Sequence, residues 1–172
     1  THGVFRLHCD EKGSYTVSCY SATNGKLNSV YADCLYTDAK GRIWVGTGGS
    51  GLNLYDEATD TFLPVHAKWN LPGDAVVSIR SDKEGDLWLG TNAGLIKLAL
   101  SDNLESATFR LYTTVDGLQD NIFIRSAQAV AADGEMFFGG HRGYNSFYPE
   151  NQQEQPFSSS VIVTDIKIFN QS

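Results

Sequence analysis

A seven-residue stretch recurs along this chain, and the interval between its copies limits what the chain can fold into. Gly41-Arg42-Ile43-Trp44-Val45-Gly46-Thr47 returns as Gly85-Asp86-Leu87-Trp88-Leu89-Gly90-Thr91. A third copy, Gly134-Glu135-Met136-Phe137-Phe138-Gly139-Gly140, keeps the flanking glycines but has Phe where the others have Trp. Each copy is followed by a glycine and a short, mostly apolar run: Gly51-Leu52-Asn53-Leu54-Tyr55, Gly94-Leu95-Ile96-Lys97-Leu98 and Gly143-Tyr144-Asn145-Ser146-Phe147. Gly3-Val4-Phe5-Arg6-Leu7 fits the same pattern at the start of the chain. From Gly3 through Gly51 and Gly94 to Gly143 the spacings are 48, 43 and 49 residues. A self-similar unit of that length is one supersecondary block that buries its apolar surface against its neighbours.

The kind of block follows from the lengths of the apolar runs. They are short and broken by Gly and Asp, whereas a helical repeat needs apolar residues at i, i+3, i+4 and i+7 over ten or more positions. A period in the forties made of short strands predicts an all-β chain, a partial β-propeller of about three to four four-stranded antiparallel blades. The first complete blade is expected to have strands at 30–36, 43–46, 52–55 and 61–65. The second has them at 76–80, 87–90, 95–98 and 109–112, and the third at 126–130, 136–139 and 144–147. Residues 1–7 mirror residues 91–98, so the chain is expected to enter midway through a blade. Pro149 cannot donate to a sheet ladder and ends the third blade. Residues 1–149 are therefore read as blades and 150–159 as a polar linker. In 160–172, Ile166 and Ile168 alternate around Lys167 as in the first strand of a following domain.

Charge and composition exclude several functions. The net charge of −7 disfavours phosphate backbones and anionic lipid, so neither a nucleic acid nor a membrane surface is an expected partner. Seventeen glycines against four prolines fit many tight turns. There is no apolar run of the length a membrane-spanning helix needs, and the first residues have neither the basic nor the apolar region of a signal peptide. The cysteines, Cys9, Cys19 and Cys34, make no C-x-x-C pair. They read as buried free thiols, with a Cys9–Cys19 bridge across a hairpin as the alternative in an oxidising compartment.

No motif carries catalysis. Gly46-Thr47-Gly48-Gly49-Ser50-Gly51 matches G-x-G-x-x-G, but a strand rather than a phosphate-binding helix follows it, so it reads as a turn. Asp38, Asp82 and Asp133 each precede a turn glycine and read as one repeated turn residue. His2, His8, His66 and His141 are scattered, without zinc-ligand spacing, and no G-x-S-x-G elbow is present. No catalytic residue, metal or cofactor is therefore assigned. Trp44 and Trp88 recur in register and read as packing between blades. Trp69 has no counterpart in the repeat. Turns in an up-and-down blade alternate between its two ends, which gathers 47–50, 66–70, 92, 116–121 and 141–142 on one face together with His2. From that face His66, Trp69, Asn70, His141 and Arg142 are the candidate ligand-binding residues.

The pattern Asp38, Gly41, Ile43-Trp44-Val45-Gly46-Thr47, Gly51-Leu52, Tyr55-Asp56 resembles the two-component regulator propeller repeat. Asp82, Gly85, Leu87-Trp88-Leu89-Gly90-Thr91 and Gly94-Leu95 repeat it. Phe138-Gly139-Gly140, Gly143 and Phe147-Tyr148-Pro149 are similar to the last blade of such arrays, and residues 161–168 to entry into the triple-tyrosine β-sandwich domain that follows them. The resemblance implies the periplasmic sensor region of a Bacteroides-type hybrid histidine kinase, with an oligosaccharide as ligand. Kinase activity would belong to the parent chain, and the partners would be its missing blades and downstream domain. The open ends of a partial ring predict self-association of the isolated piece. The other functions considered are a purely structural segment and a fragment of a propeller enzyme of lactonase or lyase type.

Overall fold

The computed structural model describes residues 3–152, which form four antiparallel sheets in strict chain order. A hairpin comes first, β1 (Val4–Cys9) and β2 (Tyr15–Tyr20). The first complete blade is β3 (Ala32–Thr37), β4 (Ile43–Thr47), β5 (Gly51–Asp56) and β6 (Thr61–Pro64). The second is β7 (Val76–Ser81), β8 (Leu87–Thr91), β9 (Leu95–Leu100) and β10 (Ala107–Tyr112). The third has β11 (Phe123–Val130), β12 (Met136–Gly140) and β13 (Gly143–Phe147). β7 lies between β3 and β11, and β11 also reaches β3, so the first strands of the three blades gather on one axis. No helix among the described residues is long and apolar enough to cross a membrane. The linker and following strand expected beyond Gln152 lie outside the described residues.

The repeat is all-β as expected, and one buried hydrogen bond explains its strongest letters. In the β3–β4 turn, Gly41 takes φ +77° and donates to the Asp38 carbonyl at 2.9 Å. The Asp38 carboxylate accepts from the backbone N–H groups of Lys40 and Arg42, from Arg42 Nε at 2.6 Å, and from the buried Trp44 indole at 2.8 Å. Asp82 does the same for Trp88, at 2.9 Å. Burial alone would raise the Asp38 carboxyl, but the Trp44 and Arg42 hydrogen bonds outweigh it and hold it below the usual carboxylate range.

The third blade corrects the alignment of Asp133. There Ala131 N–H donates to the Glu135 carbonyl and Gly134 N–H to the Ala131 carbonyl, as Asp38 and Gly41 do in the first blade. Ala131, not Asp133, occupies the Asp38 position. Asp133 instead accepts from the Tyr148 hydroxyl at 2.9 Å. The Phe137 side chain has no N–H to offer, so a carboxylate at the half-buried Ala131 position would lack its indole partner. Asp and Trp are lost together.

Neighbouring blades pack through three apolar clusters. Tyr20, Leu27, Val45 and Phe62 join the hairpin to the first complete blade. Trp44, Leu52, Trp69, Val76, Leu89 and Ile96 lie between the first and second. Trp88, Leu95, Tyr112, Phe123, Met136 and Phe138 lie between the second and third. Trp44 and Trp88 are fully buried, as their recurrence predicts.

The links between blades repeat a device as well. A 3₁₀ turn at Ala22–Asn24, the helical turn α1 (Val65–Lys68) and a 3₁₀ turn at Thr114–Asp116 occupy corresponding places. Each is followed by a left-handed residue: Gly25 (φ +72°), Asn70 (φ +55°) and Gly117 (φ +97°). Leu71 and Leu118 come next, and Leu27 one residue later in its link, and all three pack into the clusters.

The cysteine expectations need correction. Cys9 stands opposite Tyr15, and Cys19 opposite Phe5, which puts the two thiols four residues apart along the hairpin, or about 13 Å. A disulfide needs Cα atoms within about 7 Å, and all three cysteines are free. Cys9 is exposed rather than buried. Cys34 is the most core-like of the three: burial pushes its thiol up to about 12, and its sulfur donates to the Val76 carbonyl.

Candidate functional site

The β4–β5, β8–β9 and β12–β13 turns share one face with the links between blades, and each turn is tied to a link. Gly49 and Gly51 donate backbone N–H groups to the Asp74 carbonyl at 3.1 and 2.7 Å. Asn92 accepts from the Asp74 and Ala75 backbone and donates to the Asp74 carboxylate at 2.7 Å. Asn28 donates to the Ser50 carbonyl, and Arg142 N–H to the Gln119 side chain at 2.8 Å. The glycines of the G-x-G-x-x-G stretch therefore form a strand turn that docks on the next link. His2 lies outside the described residues.

Two of the five candidate residues, His66 and Trp69, have their side chains taken up by the fold, and a third, Asn70, has a backbone role. The His66 ring lies so close over Gly51 that a Cβ there would stand 2.2 Å from its Cγ. Its Nε2 is 2.8 Å from the Gly73 carbonyl. A carbonyl only accepts, so Nε2 carries the proton and the buried Nδ1 is left without a partner. Trp69 is not a loop aromatic open to ligand. It is 6% exposed and packs on Trp44, with ring centroids 6.2 Å apart, inside the cluster between the first two blades. Asn70 fills the left-handed position that Gly25 and Gly117 fill in the other links, a conformation Asn tolerates better than most residues.

His141 and Arg142 differ. Both are exposed at the tip of the β12–β13 turn, and among the described residues neither side chain enters a hydrogen bond or ion pair. An unengaged guanidinium and imidazole offer donors to hydroxyl or carboxylate oxygens.

Two further features have no counterpart in the sequence pattern. Asp60 gathers Lys26, Tyr20 and Tyr55 at 2.5, 2.7 and 2.9 Å, with Arg6 at 3.4 Å. The Lys26 and tyrosine hydrogen bonds hold its carboxyl far below the usual range. These residues come from separate segments and tie the hairpin to the first complete blade. The second feature is a cavity of about 190 Å³ between β10 and the outer edge of β13, lined by Trp88, Leu95, Tyr112, Asn145 and Phe147. No cluster of His, Cys, Asp or Glu suited to a metal occurs among the described residues.

Comparison with known proteins agrees with the repeat. The family model of the two component regulator propeller matches residues 24–49 and 70–93. Each match spans a left-handed link position, the Asp turn and the tryptophan strand. Histidine kinase P4 of Formosa agariphila is 32% identical over 127 residues, covering 73% of this chain and 9% of that protein. Among solved structures, the extracellular domain of the one component system BT4673 from B. thetaiotaomicron superposes with a TM-score of 0.65 at 18% identity. That match covers 89% of this chain and 25% of the other. The extracellular domain of the hybrid two component system BT3049 from the same organism gives a TM-score of 0.52 at 16% identity, covering 98% and 32%. The chain thus spans a small part of each protein it resembles.

Proposed function

The chain carries two-component regulator propeller repeats, and from that premise we propose that it is part of the periplasmic sensor region of a membrane-bound histidine kinase. The observation that carries this reading is the 32% identity to histidine kinase P4 over 73% of the chain. The two superposable structures support it, being extracellular domains of one- and two-component systems. Phosphoryl transfer belongs to other parts of the parent protein. This segment contributes to oligosaccharide sensing through the turn face of its blades and relays the bound state toward the domain that follows.

His141 and Arg142 are exposed side chains on that face whose donors are available for sugar hydroxyls or a uronate carboxylate. The test uses the complete ectodomain of the parent, screened by calorimetry against oligosaccharides, and the full-length kinase assayed for autophosphorylation. His141→Ala and Arg142→Ala are expected to weaken binding about tenfold, the loss of one hydrogen bond to a charged group, without lowering Tm. An ectodomain that binds no oligosaccharide removes the carbohydrate reading.

A second reading, a scaffold segment that holds the ligand site of other blades, is favoured by the engagement of the His66 and Trp69 side chains within the fold. It predicts unchanged oligosaccharide affinity in both variants. A propeller enzyme of lactonase or lyase type would instead show stoichiometric metal or turnover in the complete ectodomain.

A further inference from the structure

The three inner strands bulge at one level, just inside the end that carries the links. In β3 and β7 the bulge takes a single residue, Asp33 or Val77. In β11 it takes residues 124–127, between Phe123 and Gln128, and Ser126 turns left-handed at φ +56°. Serine rarely adopts that conformation, and a bulge re-aims the side chains it carries.

The side chain re-aimed here is Arg125. Its Nη2 stands 2.7 Å from Oδ1 of Asp33, so the third blade reaches the first across the axis. The two partners are unequally placed: the Asp33 side chain is 4% exposed and that of Arg125 63%. Gly48, in the β4–β5 turn, leaves room for the carboxylate, since a Cβ there would stand 2.8 Å from Asp33 Oδ2. The contact is ionic, because Oδ1 accepts no aligned hydrogen bond among the described residues. A buried carboxylate needs a counter-charge, and Arg125 supplies it. Neither side chain enters another ion pair among the described residues. The guanidinium is thus anchored by a buried anion while its other N–H donors meet solvent. Ile122 and Ile124, on either side of it along the chain, are exposed as well.

We propose that Arg125, positioned by Asp33, binds the carboxylate of an acidic sugar at the axis of the propeller. The planar fork of the guanidinium matches a planar carboxylate through two parallel hydrogen bonds. Ile122 and Ile124 offer apolar surface to the C–H groups of the ring. Asp33 already compensates the positive charge, so a simple anion gains little here, and the site favours a ligand that adds contacts beyond its carboxylate. The inference rests on the reading of the chain as part of an oligosaccharide sensor and narrows the ligand to one that carries a uronate. It places that ligand on the inner strands, whereas His141 and Arg142 lie in the β12–β13 turn.

The test uses the complete ectodomain of the parent. D-glucuronate and D-galacturonate are the probes, and their methyl esters are the uncharged twins. Ligand-observed NMR and calorimetry are expected to show one of the uronates bound about tenfold or more tighter than its ester, the worth of a hydrogen-bonded charge. Arg125→Gln should abolish that preference. Arg125→Lys keeps the charge without the fork and should restore only part of it. Arg125→Gln also leaves the Asp33 carboxylate buried without a counter-charge, so its Tm should fall. Asp33→Asn combined with Arg125→Gln removes both charges and should recover Tm while still lacking the preference. Acid and ester bound equally by the parent ectodomain, or neither uronate bound at millimolar concentration, overturns the proposal. So does a double variant that keeps the preference, since the pair is then only a clasp between blades. Neutral oligosaccharides bound equally with and without Arg125 would leave the sensor reading standing and remove this site. Uronate bound at Arg125 in a parent without a kinase would do the reverse.

Discussion

Removing the Asp38 carboxylate while keeping or removing its indole partner tests whether the repeat is held by a buried hydrogen bond or by apolar packing alone. Asp38→Ala leaves the Trp44 indole N–H, in a fully buried residue, with no acceptor. It also leaves Arg42 Nε and two turn N–H groups without theirs. An orphaned buried donor costs about 1–3 kcal/mol, and breaking a buried charged pair about 3–5 kcal/mol, so a total loss of roughly 3–5 kcal/mol is expected. Trp44→Phe trims a buried ring and leaves a void, for about 2–3 kcal/mol, while Asp38 keeps Arg42 and the turn. In the double variant no indole is orphaned, so the cost should fall short of the sum by about 1–3 kcal/mol. The third blade already carries this pair as Ala131 and Phe137. Urea unfolding followed by far-UV circular dichroism gives the free energies. Calorimetry should show Asp38→Ala lowering Tm by roughly 6–20 °C, at about 2–4 °C per kcal/mol for a chain of this size. Additive single losses, within about 0.5 kcal/mol, would refute the coupling and return the turn to packing alone.

Four other outcomes follow from the same geometry. The Asp38 carboxyl is held low in the folded chain, so its contribution is whole above the unfolded value of about 3.9 and disappears as pH falls below it. Acid unfolding should therefore shift less with pH in Asp38→Ala than in the parent chain. Gly94→Ala should cost about 3 kcal/mol or more, because its Cβ would meet the Tyr112 carbonyl. Gly41→Ala, with φ +77° and open space, should cost only about 1–2 kcal/mol, and urea midpoints separate the two. Asn70→Gly should leave Tm within a degree or two while Asn70→Ala costs about 1 kcal/mol of stability; a loss of stability from Asn70→Gly contradicts the link role. The outward face of the hairpin carries Phe5, Leu7, Tyr15 and Val17, all exposed, so sedimentation should show self-association that Leu7→Lys with Val17→Lys reverses.

The architecture was legible because its cause is periodic. Trp44 and Trp88 are buried by the same contact and bonded by the same carboxylate, so each copy preserves the letters that the contact requires. Strand positions followed within a residue or two, except where the backbone departs from the repeat. In the complete blades a single bulged residue, Asp33 or Val77, interrupts the first strand. In β11 the pairing jumps from Phe123 to Gln128, and Ser126 takes φ +56°. No letter in that stretch announces the extra residues. Asp133 was misplaced for the opposite reason: it is the right residue type beside the right glycine, but Asp38 and Asp82 stand three residues before theirs, and by spacing and backbone hydrogen bonds that position belongs to Ala131.

The candidate site was harder to read because the links repeat a conformation and not a residue. Gly25, Asn70 and Gly117 share one left-handed backbone state, yet an alignment anchored on glycines sees Asn70 as an unmatched polar residue and Trp69 beside it as an unmatched aromatic. Unmatched letters on a loop invite a functional reading, but a loop that must bury a leucine and end a helical turn has its own structural demands. His66 is drawn in by the same logic, since its ring covers a turn glycine that has no side chain to cover itself. The tip formed by His141 and Arg142 is tied to the preceding link through its backbone, Arg142 N–H on the Gln119 side chain. The first blade's turn is covered by the link that follows it, through Asp74, and the second blade's Asn92 docks back on that same link. His141→Ala and Arg142→Ala in the complete ectodomain are therefore expected to change ligand affinity without lowering Tm, because among the described residues no hydrogen bond or ion pair uses either side chain.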